Sequence, residues 1–110
     1  MGIAAAMTEA DFSRKVQKWL KERGAWVVKY HASSYTPKGV PDLIACYCGR
    51  FIGVELKTGS KVSDWQLWQG DRIRDAQGLW LVLSPKDFPH KLDEILKEVD
   101  RARRRQGPAG

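Results

Sequence analysis

The chain has 110 residues, enough for one compact domain and not two. Hydrophobic residues make up 43%, so a core can be filled, yet no apolar stretch approaches the roughly 20 residues of a membrane-spanning helix. Lysine and arginine number 19 against 13 acids, and the resulting +6 suits a polyanionic partner, a balance shared with ribosomal and membrane-surface proteins.

The opening MGIAAAM lacks the basic and long apolar regions of a secretory signal. Residues 1–7 read as a leader or disordered N-terminus, with Met7 as a natural start. TEADFSRKVQKWLKERG predicts a helix: Thr8 is its N-cap, Phe12, Val16, Trp19 and Leu20 recur at helical spacing, and Gly24 follows its last turn. Asp11, three residues after Thr8, imitates the acid of a capping box. AWVVKYHA is rich in β-branched and aromatic residues and reads as a strand, with Trp26, Val28 and Tyr30 on one side. SSYTPKGVP is a loop by composition. DLIACY and FIGVEL are strands joined by a short CGR turn, a hairpin. SDWQLWQGDRIRDAQG starts a helix at Ser63 and stops it near Gly78, with Gly70 weakening but not breaking it. LWLVL is a short buried strand. Pro85 opens a last helical stretch with Leu92, Ile95, Leu96 and Val99 as its apolar stripe. RARRRQGPAG, residues 101–110, reads as a disordered basic tail.

The order is thus helix, three strands, helix, strand, helix. Its natural product is a mixed four-stranded sheet flanked by helices, an α/β sandwich. Trp19, Trp26 and Trp80 read as core. Trp65 and Trp68, at i and i+3, also read as packing between helix and sheet, with base stacking as the alternative. Cys46 and Cys48, two apart on a strand, would share a face and be poorly placed to bridge each other. They read as buried or half-buried free thiols of a reducing cytoplasm.

The chemistry concentrates in GVPDLIACYCGRFIGVELKTG. Strand alternation puts Glu55 and Lys57 on one face, roughly 6–7 Å apart, and Ile52, Val54 and Leu56 on the other. A charged pair among β-branched neighbours is costly unless something compensates, and a bound cation would compensate. Asp42, directly after Pro41 and thirteen residues before Glu55, begins the neighbouring strand, so its carboxylate can lie beside Glu55. Two such oxygens with the Leu56 carbonyl and waters would suit Mg²⁺. A water so held is easier to deprotonate, and Lys57 could orient it or neutralise charge on a phosphate. Tyr35 and Lys38, in the loop before Pro41, and Lys61, after the second strand, are placed to contact a nucleic-acid backbone. The bland alternative is a surface ion pair of Glu55 and Lys57, with Asp42 in a turn.

G-V-P-D-L-I, then V-E-L-K-T-G, then a Ser-started helix containing Gln66 resembles the PD-(D/E)XK nuclease superfamily. More narrowly, it resembles the stand-alone phage and bacterial VRR-NUC domains, the virus-type replication–repair nucleases. T-E-A-D-F and a first helix ending at Gly24 match the start of that family, and the likeness runs from about Thr8 to Pro85. It departs at Ser13, where many relatives carry Gln, and at Gln69, where an aromatic is usual. The resemblance implies a restriction-endonuclease-like fold over residues 8–100. It implies Mg²⁺ or Mn²⁺ on Asp42, Glu55 and a helix-one acid, with Lys57 catalytic and Gln66 reaching the lysine or the substrate phosphate. Glu9, three residues before Phe12, best fits the helix-one acid, and Asp11 competes with it. The expected activity is a structure-specific DNA endonuclease acting on branched DNA such as Holliday junctions, as a C₂ homodimer in the bacterial cytoplasm. The rivals are a flap, exonuclease or restriction-type nuclease of the same fold, and an inactive DNA-binding module.

Overall fold

A computed structural model describes residues 7–107 of the chain. Helix α1 spans Glu9–Glu22 and leads into strand β1, Trp26–Lys29. The hairpin follows as β2, Leu43–Tyr47, and β3, Arg50–Leu56. Helix α2, Asp64–Asp75, crosses over to β4, Leu79–Leu83, and α3 closes the chain at His90–Arg105. The sheet order is β1-β2-β3-β4, antiparallel except for the parallel β3–β4 pair that the α2 crossover requires. The expected αβββαβα order is therefore the observed one. No described helix is long and apolar enough to cross a membrane.

Local chemistry accounts for the element ends. The Thr8 hydroxyl accepts from the Asp11 backbone N–H at 3.1 Å, and Gly24 at φ +86° ends α1. Ala25 N–H donates to Leu20 and Gly24 N–H to Lys21, the paired bonds of a Schellman stop. The β2–β3 turn has only two residues, Cys48 and Gly49, both at positive φ as a tight twisted hairpin demands.

The sheet separates two unequal layers. Ile52, Val54 and Leu56 face one way and join Leu43, Ala45, Leu81 and Leu83. Phe12, Val16 and Leu20 of α1 and Leu92 and Leu96 of α3 complete this main core. The opposite face carries α2. There a Cβ on Gly53 would lie 2.8 Å from Pro41 and 3.1 Å from Ile73, so the missing side chain lets loop and helix sit directly on β3.

Several expectations need correcting. Met7, at the end of the expected disordered leader 1–7, packs against the core; residues 1–6 lie outside the described ones. Trp26 is 60% exposed, Trp65 54% and Trp68 49%, so these three are not core. Helix α2 covers β3 and β4, which leaves Trp26 on the uncovered part of the sheet. Gln66, Gly70 and Ile73 form the inward stripe of α2, so Trp65 and Trp68 fall to its side, edge-to-face at 6.2 Å. Trp19 is half-buried against Phe88, and Trp80 is buried. Cys46 and Cys48 are exposed free thiols, and Cys48 sits in the turn, not on the strand.

The last helix also differs at both ends. It starts at His90, not Pro85, because Pro89 disfavours helical backbone at the residue before it. It continues to Arg105, so residues 101–105 are helical and not a loose tail; 108–110 lie outside the described residues. Lys97 pairs with Asp93 at 3.0 Å and Arg101 with Glu98 at 2.6 Å. Arg103, Arg104 and Arg105 complement the negative end of the helix dipole. Tyr47 donates to Asp100 at 3.0 Å and ties this end to β2.

Candidate active site

The β2–β3 register pairs Leu43 with Val54. One step further along the same antiparallel ladder sets Asp42 across from Glu55, and opposed residues share a face. That face is the one under α2. The Asp42 main chain is held by Tyr30, whose N–H donates to its carbonyl at 2.8 Å. Its carboxylate turns to β3, where Oδ2 accepts from the Leu56 N–H at 2.8 Å. The Leu56 side chain is in the core; its main chain faces Asp42.

Glu55 is fully buried. Its Oε1 accepts from the Gln66 side-chain amide at 3.2 Å, and its Oε2 has no partner. Burial pushes its carboxyl up to about 7, and the neighbouring Asp42 charge adds to that; Trp80 and Lys57 pull the other way. Gln66 does two jobs with one amide. Its side-chain oxygen accepts from Ser63 N–H at 2.8 Å while its side-chain N–H reaches Glu55, and the Gln66 backbone N–H donates to Ser63 Oγ at 3.2 Å, a complete capping box. The side chain of Gln66, expected to reach the lysine or the substrate phosphate, turns instead to Glu55. Lys57 is half-buried on the Glu55 face, and its main-chain N–H donates to Leu83 at 2.9 Å.

The structure brings together Asp42, Glu55, Gln66, Lys57 and the Leu56 main chain. It does not bring Glu9 to them. Glu9 lies exposed in the first turn of α1, and no three His, Cys, Asp or Glu side chains cluster for a metal among the described residues. Asp11 is engaged elsewhere. Its carboxylate pairs with Arg14, and the Thr8 hydrogen bond, with Arg14, holds it below the usual carboxylate range.

The loop before β2 is pinned to α2. Gln69 donates to the Lys38 carbonyl at 3.1 Å, and a Cβ on Gly39, at φ +79°, would lie 2.3 Å from the Trp65 carbonyl oxygen. Lys38, Tyr35 and Lys61 all project into solvent, Tyr35 almost completely. His31 is likewise exposed. The residues that the sequence reading missed are Trp80 and Gly70, which close the site from β4 and α2. Only a large and a small residue destined for facing elements signalled them.

A family model described as archaeal Holliday junction resolvase (Hjc) matches residues 7–69, more than half of the chain. The chain belongs to this family. Comparisons with curated proteins and with solved structures find no match. The resolvase is a nuclease that cleaves branched DNA at junctions, and its mixed sheet with three helices is the restriction-endonuclease-like fold of the family. The match covers α1, the three antiparallel strands and the start of α2, so it includes Asp42, Glu55, Leu56, Lys57 and Gln66 but neither Gly70 nor Trp80. Nucleases of this family normally use divalent metals.

Proposed function

We propose that this resolvase hydrolyses the phosphodiester backbone of four-way junctions at the Asp42–Glu55 pair, with Mg²⁺ or Mn²⁺ as cofactor. One observation carries the reading: two carboxylates oppose each other on one face, and one of them keeps a buried oxygen without a partner. An orphaned buried oxygen costs stability and is what a cation would satisfy. Asp42, Glu55 and the Leu56 carbonyl are all hard oxygen donors, which fits a hard cation completed by waters. When bound, such an ion would ease deprotonation of an attacking water and polarise the phosphoryl oxygen.

The chain's own groups have separate tasks. Glu55 is held against rotation by Gln66. Asp42 is held by the Leu56 N–H. Lys57 extends from the open end of the site, where its ammonium can neutralise charge on the phosphate or orient the water. Lys38 and Tyr35, exposed in the loop before β2, and Lys61, exposed in the loop after β3, would grip the backbone. The expected products carry a 5′-phosphate and a 3′-hydroxyl. Within the superfamily, T-E-A-D-F and a first helix ending at Gly24 support a likeness to the VRR-NUC type. Two exposed free thiols fit a reducing cytoplasm.

A junction needs two symmetric cuts, which calls for a C₂ homodimer. Exposed aromatic residues support this. Trp26, Cys46 and Phe51 lie in register across the uncovered part of the sheet, and Trp65 and Trp68 are exposed on α2. Arg72 links the two, lying 5.4 Å from the Trp68 ring centroid and lining a groove of about 440 Å³ with Phe51. Arg72 and Arg74 are neutralised by Asp75 and Asp71, so this surface suits a second protein copy better than phosphate.

The test is cleavage of synthetic four-way junctions, flaps and linear duplexes side by side in Mg²⁺ and Mn²⁺. Asp42→Asn, Glu55→Gln and Lys57→Ala are expected to lower junction cleavage by about 10²–10⁴-fold, with junction binding retained. A wild type inert on every DNA structure in both metals would overturn the reading.

A further inference from the structure

Among the described residues, two buried polar side-chain atoms lack a partner: Glu55 Oε2 and the indole Nε1 of Trp80. They lie on adjacent strands. In the parallel β3–β4 pair, Trp80 stands opposite Gly53 and Val82 opposite Glu55. The Trp80 side chain therefore leaves the sheet on the Glu55 face, one pleat back. One atom is a donor without an acceptor and the other an acceptor without a donor. Each supplies what the other lacks, although the two do not close to hydrogen-bond geometry here. Catalytic contacts are often long until the site is loaded.

The indole is held where it is by a purpose-shaped gap. A Cβ on Gly70 would lie 2.6, 2.7 and 2.9 Å from three ring atoms of Trp80. Only glycine lets the ring lie between α2 and the sheet. The Arg74 guanidinium covers the ring at 4.9 Å from its centroid. The ring is rigid and wedged, so its N–H direction is fixed. Its effect on Glu55 already favours the ionised carboxylate.

We propose that Trp80 is a positioning residue for the metal-binding carboxylate: its indole N–H donates to Glu55 Oε2 while the Gln66 amide holds Oε1. A carboxylate offers about four lone-pair sites. Two donors, one from β4 and one from α2, lock its rotation, and since each oxygen has two lone pairs, Oε2 keeps one for the cation while the indole takes the other. Gly70 serves the same end by making room for the ring. This rests on the metal reading above.

The test measures Mn²⁺ binding to the whole protein without DNA, by electron paramagnetic resonance of the free ion. Wild type, Asp42→Asn and Trp80→Phe are compared, the last keeping an aromatic in the gap. Hydrogen bonds to ligating carboxylates are worth about 10–100-fold in metal affinity. Trp80→Phe is expected to weaken Mn²⁺ binding about tenfold with unchanged circular dichroism. Equal affinity in a folded Trp80→Phe overturns the inference, provided Asp42→Asn abolishes binding. If Asp42→Asn binds like wild type, the metal reading itself fails. Where Trp80→Phe does not fold, ¹⁵N-indole spectra of wild type decide. The Trp80 resonance, recognised by its proximity to Gly70, is expected to shift downfield on Mg²⁺ saturation; an unmoved resonance overturns the inference.

Discussion

Glu55 is the residue whose surroundings are most at odds with its chemistry. It is fully buried, and it sits opposite another acid. In the unfolded chain its carboxyl would lose its proton near 4.5, whereas the folded protein holds that proton to about 7. Between those values folding takes up a proton, so rising pH works against folding. The contribution of this group is complete below about 4.5, falls as pH climbs through about 7, and changes no further above that. Metal-free wild type is therefore expected to lose stability between pH 5 and 8, with Glu55→Gln losing much less. Urea unfolding of both proteins at the two pH values, in chelator, checks this. The carboxylate pair was legible because strand alternation and a short hairpin fix which side chains meet. The partner of Gln66 was not legible, since a capping glutamine looks the same in sequence whether its N–H meets water or a buried acid.

At the scale of the element, α2 shows what a pattern can and cannot announce. Ser63 and Gln66 mark its start, and its end near Gly78 was read correctly to within a few residues. What closes it, however, is Gln77 at φ +71°, with Gly78 N–H donating to Ile73 and Gln77 N–H to Arg74. This is a Schellman stop with a side chain where glycine is usual, and left-handed backbone costs a side-chain-bearing residue about 1–2 kcal/mol. Gln77→Gly is expected to stabilise the protein by about 1 kcal/mol. The bond that the Arg50 side-chain Nε–H donates to the Gln77 carbonyl, 2.8 Å, survives the change. Thermal unfolding would show a rise of a few degrees; a fall would mean that the Gln77 side chain matters in a way the structure does not show. The exposure of Trp26, Trp65 and Trp68 was not legible. Periodicity tells which residues share a side of an element, but only the docking position of α2 over β3 and β4 decides which sides stay open. The same holds for α3, whose start depends on one proline step and whose end depends on pairing with neighbours three and four residues away.

At the scale of the whole molecule, three half-exposed tryptophans with Phe51 and Val28 make an unusually apolar surface for a chain of this size. Interfaces concentrate their energy in such aromatic anchors. Phe51→Glu and Trp68→Glu are each expected to convert a dimer into a monomer at micromolar concentration, read by sedimentation velocity. Junctions treated with the monomeric variants would be nicked on one strand instead of resolved by paired cuts. A monodisperse monomer in the wild type would remove this expectation and leave the chemistry of each subunit untouched. One consequence follows from the amide of Gln66, which serves at once as the clasp of the opening turn of α2 and as the brace of the buried acid. Helix ends loosen well before a domain melts. Gentle heating should thus disarm the enzyme while its fold is still whole, and cooling should rearm it.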